Sequence, residues 1–197
     1  SISKDKHIGV RYDPDMIAMY NKAEEAGDDR EIEEMQKRQD EHANYEFKEV
    51  KILPGNVGYL KFNRFAHASV AGPTATAALN FLAHTDALII DLRENGGGSP
   101  SLIQLMTSYF FEETEHLNSF YIREGDQTRQ FWTLPYVPGP KMIDTELFIL
   151  TSGGTFSGAE EFTYNLKNME RATVVGETTG GGAHPVSRYI INDNYMV

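Results

Sequence analysis

The chain has 197 residues, no cysteine and a formal net charge of −11. The lack of cysteine excludes disulfide scaffolds, thiolate metal sites and cysteine nucleophiles, without fixing a compartment. A hydrophobic content of 40%, with 11 Phe and 10 Tyr, describes a folded chain long enough for one good core.

Residues 13–49 hold 13 acidic and 5 basic side chains, a net of −8, so the acidity belongs to one solvated segment. No basic stripe is present, which disfavours nucleic acid as a partner. No run of 18 apolar residues occurs and no signal peptide opens the chain, so no membrane span is expected. Both ends are abrupt, SISKDKH and NDNYMV, as expected of a fragment of something longer.

In chain order, residues 5–12 (DKHIGVRY) read as a short strand with Asp5 and His7 on one face. Taken alone, His7 is an ordinary edge-strand histidine. Residues 15–46 read as two amphipathic surface helices broken at Gly27-Asp28-Asp29, with Met16, Met19, Ile32 and Met35 as sparse apolar points. His42 in this segment reads as solvated. FKEVKIL and VGYLKF then alternate as two strands around Pro54-Gly55-Asn56. Residues 74–84 fit a helix, with His84 near its end explained by the dipole alone. ALIID (87–91) is apolar enough for a central strand buried on both faces. It runs into Asn95-Gly96-Gly97-Gly98, after which Ser99 and Pro100 open a helix as cap and first-turn proline. Three glycines between strand and helix allow close backbone approach to a ligand. A phosphate cradle is one use of such a bend, but neither GxxxxGK[ST] nor GxGxxG is present; an oxyanion donor is the other. Residues 112–140, with Trp132, His116 and three prolines, read as an irregular or hairpin excursion flanking the active face.

The second glycine-rich strand end follows the apolar run 147–150. Helical spacing of Ala159, Phe162, Leu166 and Met169 starts a helix near Ser157, and 173–175 is a further strand ending in glycines. Ser157 with Glu160 is a capping-box pattern, and alone it is more often a cap than a nucleophile. The same placement puts Ser157 where free N–H groups and the helix dipole converge, as an oxyanion would require. Repeated strand, turn, helix units with both glycine loops at strand C-termini give an α/β fold.

ALIIDLRENGGG paired with TSGGTFSGAEEFTYNLKNMERATVVGETTGGGAHPV resembles the tail-specific (C-terminal processing) serine peptidases. The resemblance points to their tricorn-core and interphotoreceptor retinoid-binding branch, and covers most of residues 47–190, with DKHIGVRY extending it to the amino end. It implies a ClpP/crotonase-like ββα superhelix core over residues 47–197, preceded by an amino-terminal strand and acidic helical segment, 1–46. It places the nucleophile on Ser157, and the oxyanion hole on the N–H groups of Gly158 and Gly97, with Gly98 next. Ser–Lys dyad members of the family carry a lysine where Gly180-Gly181-Gly182 stands here. The tricorn-like branch instead uses an amino-terminal histidine, matched by His7, which Asp5 would orient. His67 and His184 are alternative bases, and Glu160 would support the helix start or a substrate amine. The family's last acidic residue is expected beyond Val197.

The resemblance implies a serine-type peptidase acting on peptide or protein substrates, without cofactor or metal. A homo-oligomer is left open, and a periplasmic or extracellular location suits the family. The alternative is a non-catalytic module binding an apolar, retinoid-like ligand on the same fold.

Overall fold

Alternating apolar residues in the middle of the chain build one sheet, and helical repeats between them cover it. The computed structural model describes residues 7–123, 125–182 and 186–197. It divides into two units, one of residues 44–183 and one of residues 1–43 with 184–197. The carboxy-terminal residues thus group with the amino-terminal segment and not with the sheet.

In the smaller unit, β1 (Arg11–Tyr12) is followed by α1 (Pro14–Ala26) and α2 (Arg30–His42). Asp13 caps α1, its Oδ1 accepting the N–H of Met16 at 3.2 Å, with Pro14 at the first helical position. Gly27 ends the helix in the left-handed region at φ 61°, where a side chain is disfavoured.

The larger unit begins with β2 (Phe47–Leu53) and β3 (Val57–Phe62), followed by α3 (Ala68–Leu82) and β4 (Ala87–Asp91). Next come α4 (Pro100–Thr107), the hairpin β5 (His116–Ile122) with β6 (Gln127–Trp132), and then β7 (Glu146–Thr151), α5 (Gly158–Asn168) and β8 (Ala172–Gly176). The five-stranded sheet has the order β2-β3-β4-β7-β8; β2 and β3 are antiparallel and the remaining pairs are parallel. In the smaller unit, β9 (Tyr195–Met196) closes antiparallel on β1, with Arg11 opposite Met196 and Tyr12 opposite Tyr195.

Leu60, Phe62, Leu88, Ile90, Leu147 and Ile149 point to one side of the sheet. There they join Leu79, Leu82, Leu102, Ile103, Phe162 and Leu166 from α3, α4 and α5 in one cluster. Each such fully buried side chain contributes roughly 1.5–3 kcal/mol of transfer free energy. The other face of β4, Ala87 and Ile89, is only half-buried, so the expectation of burial on both faces is corrected. Helix α3 starts six residues earlier than its apolar spacing indicates. His67 caps it, Nδ1 accepting from the Ser69 N–H at 3.2 Å, and Pro73 lies inside it without ending it. No helix among the described residues is long and apolar enough to cross a membrane.

Candidate active site

Parallel pairing of β4 with β7 sets Asp91 opposite Leu150, so the two strands end side by side and their loops leave together. A ladder of hydrogen bonds then ties the loops. Thr155 Oγ1 donates to the Leu92 carbonyl at 2.8 Å, Ser152 Oγ to that of Arg93 at 2.5 Å, and the Phe156 N–H to that of Asn95 at 3.0 Å. Thr155 and Asn95 are both fully buried, which keeps water from competing for these bonds.

Ser157 stands at the head of α5 with φ 52° and ψ −123°. A non-glycine residue at positive φ costs on the order of 1–3 kcal/mol and persists only where its surroundings enforce it. Its N–H is donated to Glu160 Oε2 at 2.9 Å, while its hydroxyl makes no cap hydrogen bond. The side chain is half-exposed. Serine and glutamate stand in a capping-box arrangement, the serine side chain toward the Glu160 N–H short of a full cap hydrogen bond, and the firm arm is the one from the Ser157 N–H. The next N–H, that of Gly158, is the first of the helix and accordingly has no partner within it.

The glycine bend after β4 comes against this turn. A Cβ built on Gly97, at φ 93°, would lie 2.5 Å from Gly158 N and 2.8 Å from Ser157 Cβ, so only glycine fits. A Cβ on Gly158 would in turn lie 3.0 Å from Gly98 N. The Gly97 N–H is donated to Asn95 Oδ1 at 2.9 Å, whereas that of Gly98 has no acceptor among the described residues. The Phe65 N–H meets the Gly97 carbonyl at 2.8 Å, and the Phe65 carbonyl accepts the Ser99 N–H at 2.6 Å.

The third wall is the segment 178–182. Glu160, 7% exposed, receives the Thr179 hydroxyl at 2.6 Å and the Gly181 N–H at 2.7 Å on Oε1. Its Oε2 receives the Gly182 N–H at 2.7 Å besides that of Ser157. Burial pushes this carboxyl up, but the four donors outweigh it and hold its pKa below the usual glutamate range. At Glu161 the balance reverses, since burial pushes the pKa up and one bond from Asn118 Nδ2, at 2.6 Å, offsets it only partly.

Sequence reading missed how Asp91 and Asn95 act as anchors. Asp91, 1% exposed, accepts from Tyr59 Oη at 2.7 Å and from Arg93 Nε and Nη2 at 2.9 and 2.6 Å. Burial alone would raise its pKa; the Arg93 and Tyr59 bonds bring it to about 2. Burial and the Asp91 partner push Tyr59 up to about 12. Of the histidines, His7 is half-buried in the smaller unit, on the turn before β1, and His67 is exposed at the α3 cap. Asp5 and His184 lie outside the described residues. No group of three or more His, Asp or Glu that could hold a metal ion occurs among the described residues.

This parallel βαβ core with its two glycine bends is the ClpP-like α/β fold of the C-terminal processing peptidases. The profile of Peptidase family S41 matches residues 56–197, and the chain belongs to that family. Similar solved structures include a candidate peptidase from Parabacteroides merdae, with a TM-score of 0.59 at 21% identity, covering 82% of this chain and 54% of that one. An S41 protease candidate from Bacteroides fragilis has a TM-score of 0.62 at 20% identity, over 77% of this chain and 43% of that one. The photosystem II D1 C-terminal processing protease has a TM-score of 0.55 at 21% identity, over 74% of this chain and 38% of that one. The chain thus spans about half the length of the first and less of the other two, and at these identities the likeness describes the fold.

Proposed function

We propose that this chain carries the nucleophile and oxyanion hole of a serine-type peptidase acting on peptide or protein substrates. One observation supports the reading: a half-buried serine at positive φ, its hydroxyl not held by a full cap hydrogen bond, beside two backbone N–H groups that have no acceptor among the described residues. Ser157 Oγ attacks the scissile carbonyl carbon, and its proton passes to a histidine, which returns it to the leaving amine. The resemblance supplies His7 for that role. The oxyanion receives the N–H of Gly158 and that of Gly98. Gly98 takes the place expected of Gly97, whose N–H is already donated to Asn95. Each such donor is worth about 10²–10³ in kcat.

A ligand-binding module has no evident use for backbone strain at Ser157, which weighs against the retinoid-like alternative. Labelling with an alkyl fluorophosphonate tests the reading. The wild-type chain is expected to take up the label and Ser157→Ala to take up none while keeping its circular dichroism spectrum. Equal labelling of the two would remove the peptidase reading.

A further inference from the structure

The bend contains two glycine N–H groups that could serve an oxyanion, and one of them, that of Gly97, is donated to Asn95 Oδ1. We infer that Asn95 is a positioning residue: its side chain captures the Gly97 N–H and thereby locks the following peptide with the Gly98 N–H turned toward Ser157. This rests on the peptidase reading above and goes beyond it.

In a trans peptide the C=O and the next N–H point in opposite directions. The Gly97 carbonyl is held by the Phe65 N–H at 2.8 Å, so the Gly98 N–H faces away from Phe65. Gly98 itself lies against the serine turn, since the Cβ position of Gly158 is 3.0 Å from both Gly98 N and Gly98 O. Glycine at 96, 97 and 98 leaves this peptide little intrinsic preference, because either hand of φ is open to each of them. Were the Gly97–Gly98 peptide to turn over, a carbonyl oxygen would enter the hole and repel the developing anion.

Asn95 is placed to prevent this. It is fully buried, and its carboxamide bridges two segments: Oδ1 accepts from Gly97 N at 2.9 Å and Nδ2 donates to the Phe62 carbonyl at 2.9 Å. Its own carbonyl accepts the Phe156 N–H at 3.0 Å, one residue before the nucleophile. One side chain therefore indexes the donor loop to the end of β3, and its backbone indexes the same loop to the serine turn. No other side-chain acceptor among the described residues reaches the Gly97 N–H.

The test uses the full chain and an alkyl fluorophosphonate, resolving the maximal inactivation rate from the half-saturating concentration. In this reaction the Ser157 Oγ–P bond forms, the P–F bond breaks with fluoride leaving on its electron pair, and the hydroxyl proton goes to the base. The phosphoryl oxygen sits where the oxyanion would. Asn95→Ala is expected to lower the inactivation rate by about 10²-fold, the scale of one lost donor, while half-saturation stays within about threefold. Asn95→Asp keeps the acceptor for the Gly97 N–H and is expected to recover most of that loss, whatever its melting temperature. A merely structural role predicts instead that the two variants lose rate in step with their loss of melting temperature. That outcome, or a folded Asn95→Ala reacting at the wild-type rate, overturns the inference. If Asn95→Ala does not fold, Asn95→Asp decides alone: a rate within about tenfold of wild type supports the inference and a larger fall overturns it. Wild-type protein that labels no faster than Ser157→Ala would remove the underlying peptidase reading along with it.

Discussion

Ser157 and Glu160 face each other in a capping box whose firm arm runs through the serine backbone: the N–H of Ser157 meets Glu160 Oε2 at 2.9 Å. The carboxylate thus closes the start of the helix and holds segment 178–182.

Replacing Glu160 by Gln turns one acceptor oxygen into a donor facing other donors. Buried charge-assisted bonds lost in this way cost roughly 2–4 kcal/mol. A urea titration of Glu160→Gln should show this loss, and an unchanged midpoint would refute the clamp.

The pH dependence follows from the same carboxylate. Its folded pKa is depressed, so its contribution is fully present above the unfolded value, about 4.3, and is lost as pH falls through the folded value. Asp91 adds a second loss as pH descends toward about 2. Urea midpoints measured across the acid range should fall more shallowly in Glu160→Gln than in wild type.

The neighbouring carboxyl has the opposite sign. Glu161 is raised by burial, so the folded state favours its protonated form and its charge is a cost at neutral pH. Glu161→Gln is expected to raise the melting temperature at pH 7, a gain that shrinks in acid where the wild-type carboxyl is already protonated. A lower melting temperature at pH 7 would contradict this.

The three adjacent glycines are not equivalent. Gly96 has open space around a Cβ and an ordinary φ, so Gly96→Ala should stay within about 0.5 kcal/mol of wild type. A Cβ on Gly97 would strike the serine turn, and one on Gly98, at φ 138°, would strike the Phe65 carbonyl. Both of these alanine variants should lose labelling and more than about 2 kcal/mol of stability. Thermal melts of the three variants, side by side, check this ordering.

Much of this was legible in the chain itself. Alternating runs marked β2 and β3, continuous apolar runs marked β4 and β7, and the 3.6-residue repeat marked α5. SxxE was readable as cap or nucleophile, and the capping-box arrangement is present. The proposed choice of Gly98 over Gly97 was not legible. It depends on the Phe65 backbone, thirty-three positions before Gly98, and no local pattern encodes a contact of that range. The pairing of Arg11–Tyr12 with Tyr195–Met196 was hidden for the same reason, since two-residue strands have no period to detect.

The most direct test of the central claim is to map the fluorophosphonate adduct by mass spectrometry on the intact chain. The account predicts one adduct, located on Ser157 and lost in Ser157→Ala. An unmodified chain, or an adduct on any other residue that persists in Ser157→Ala, would contradict it.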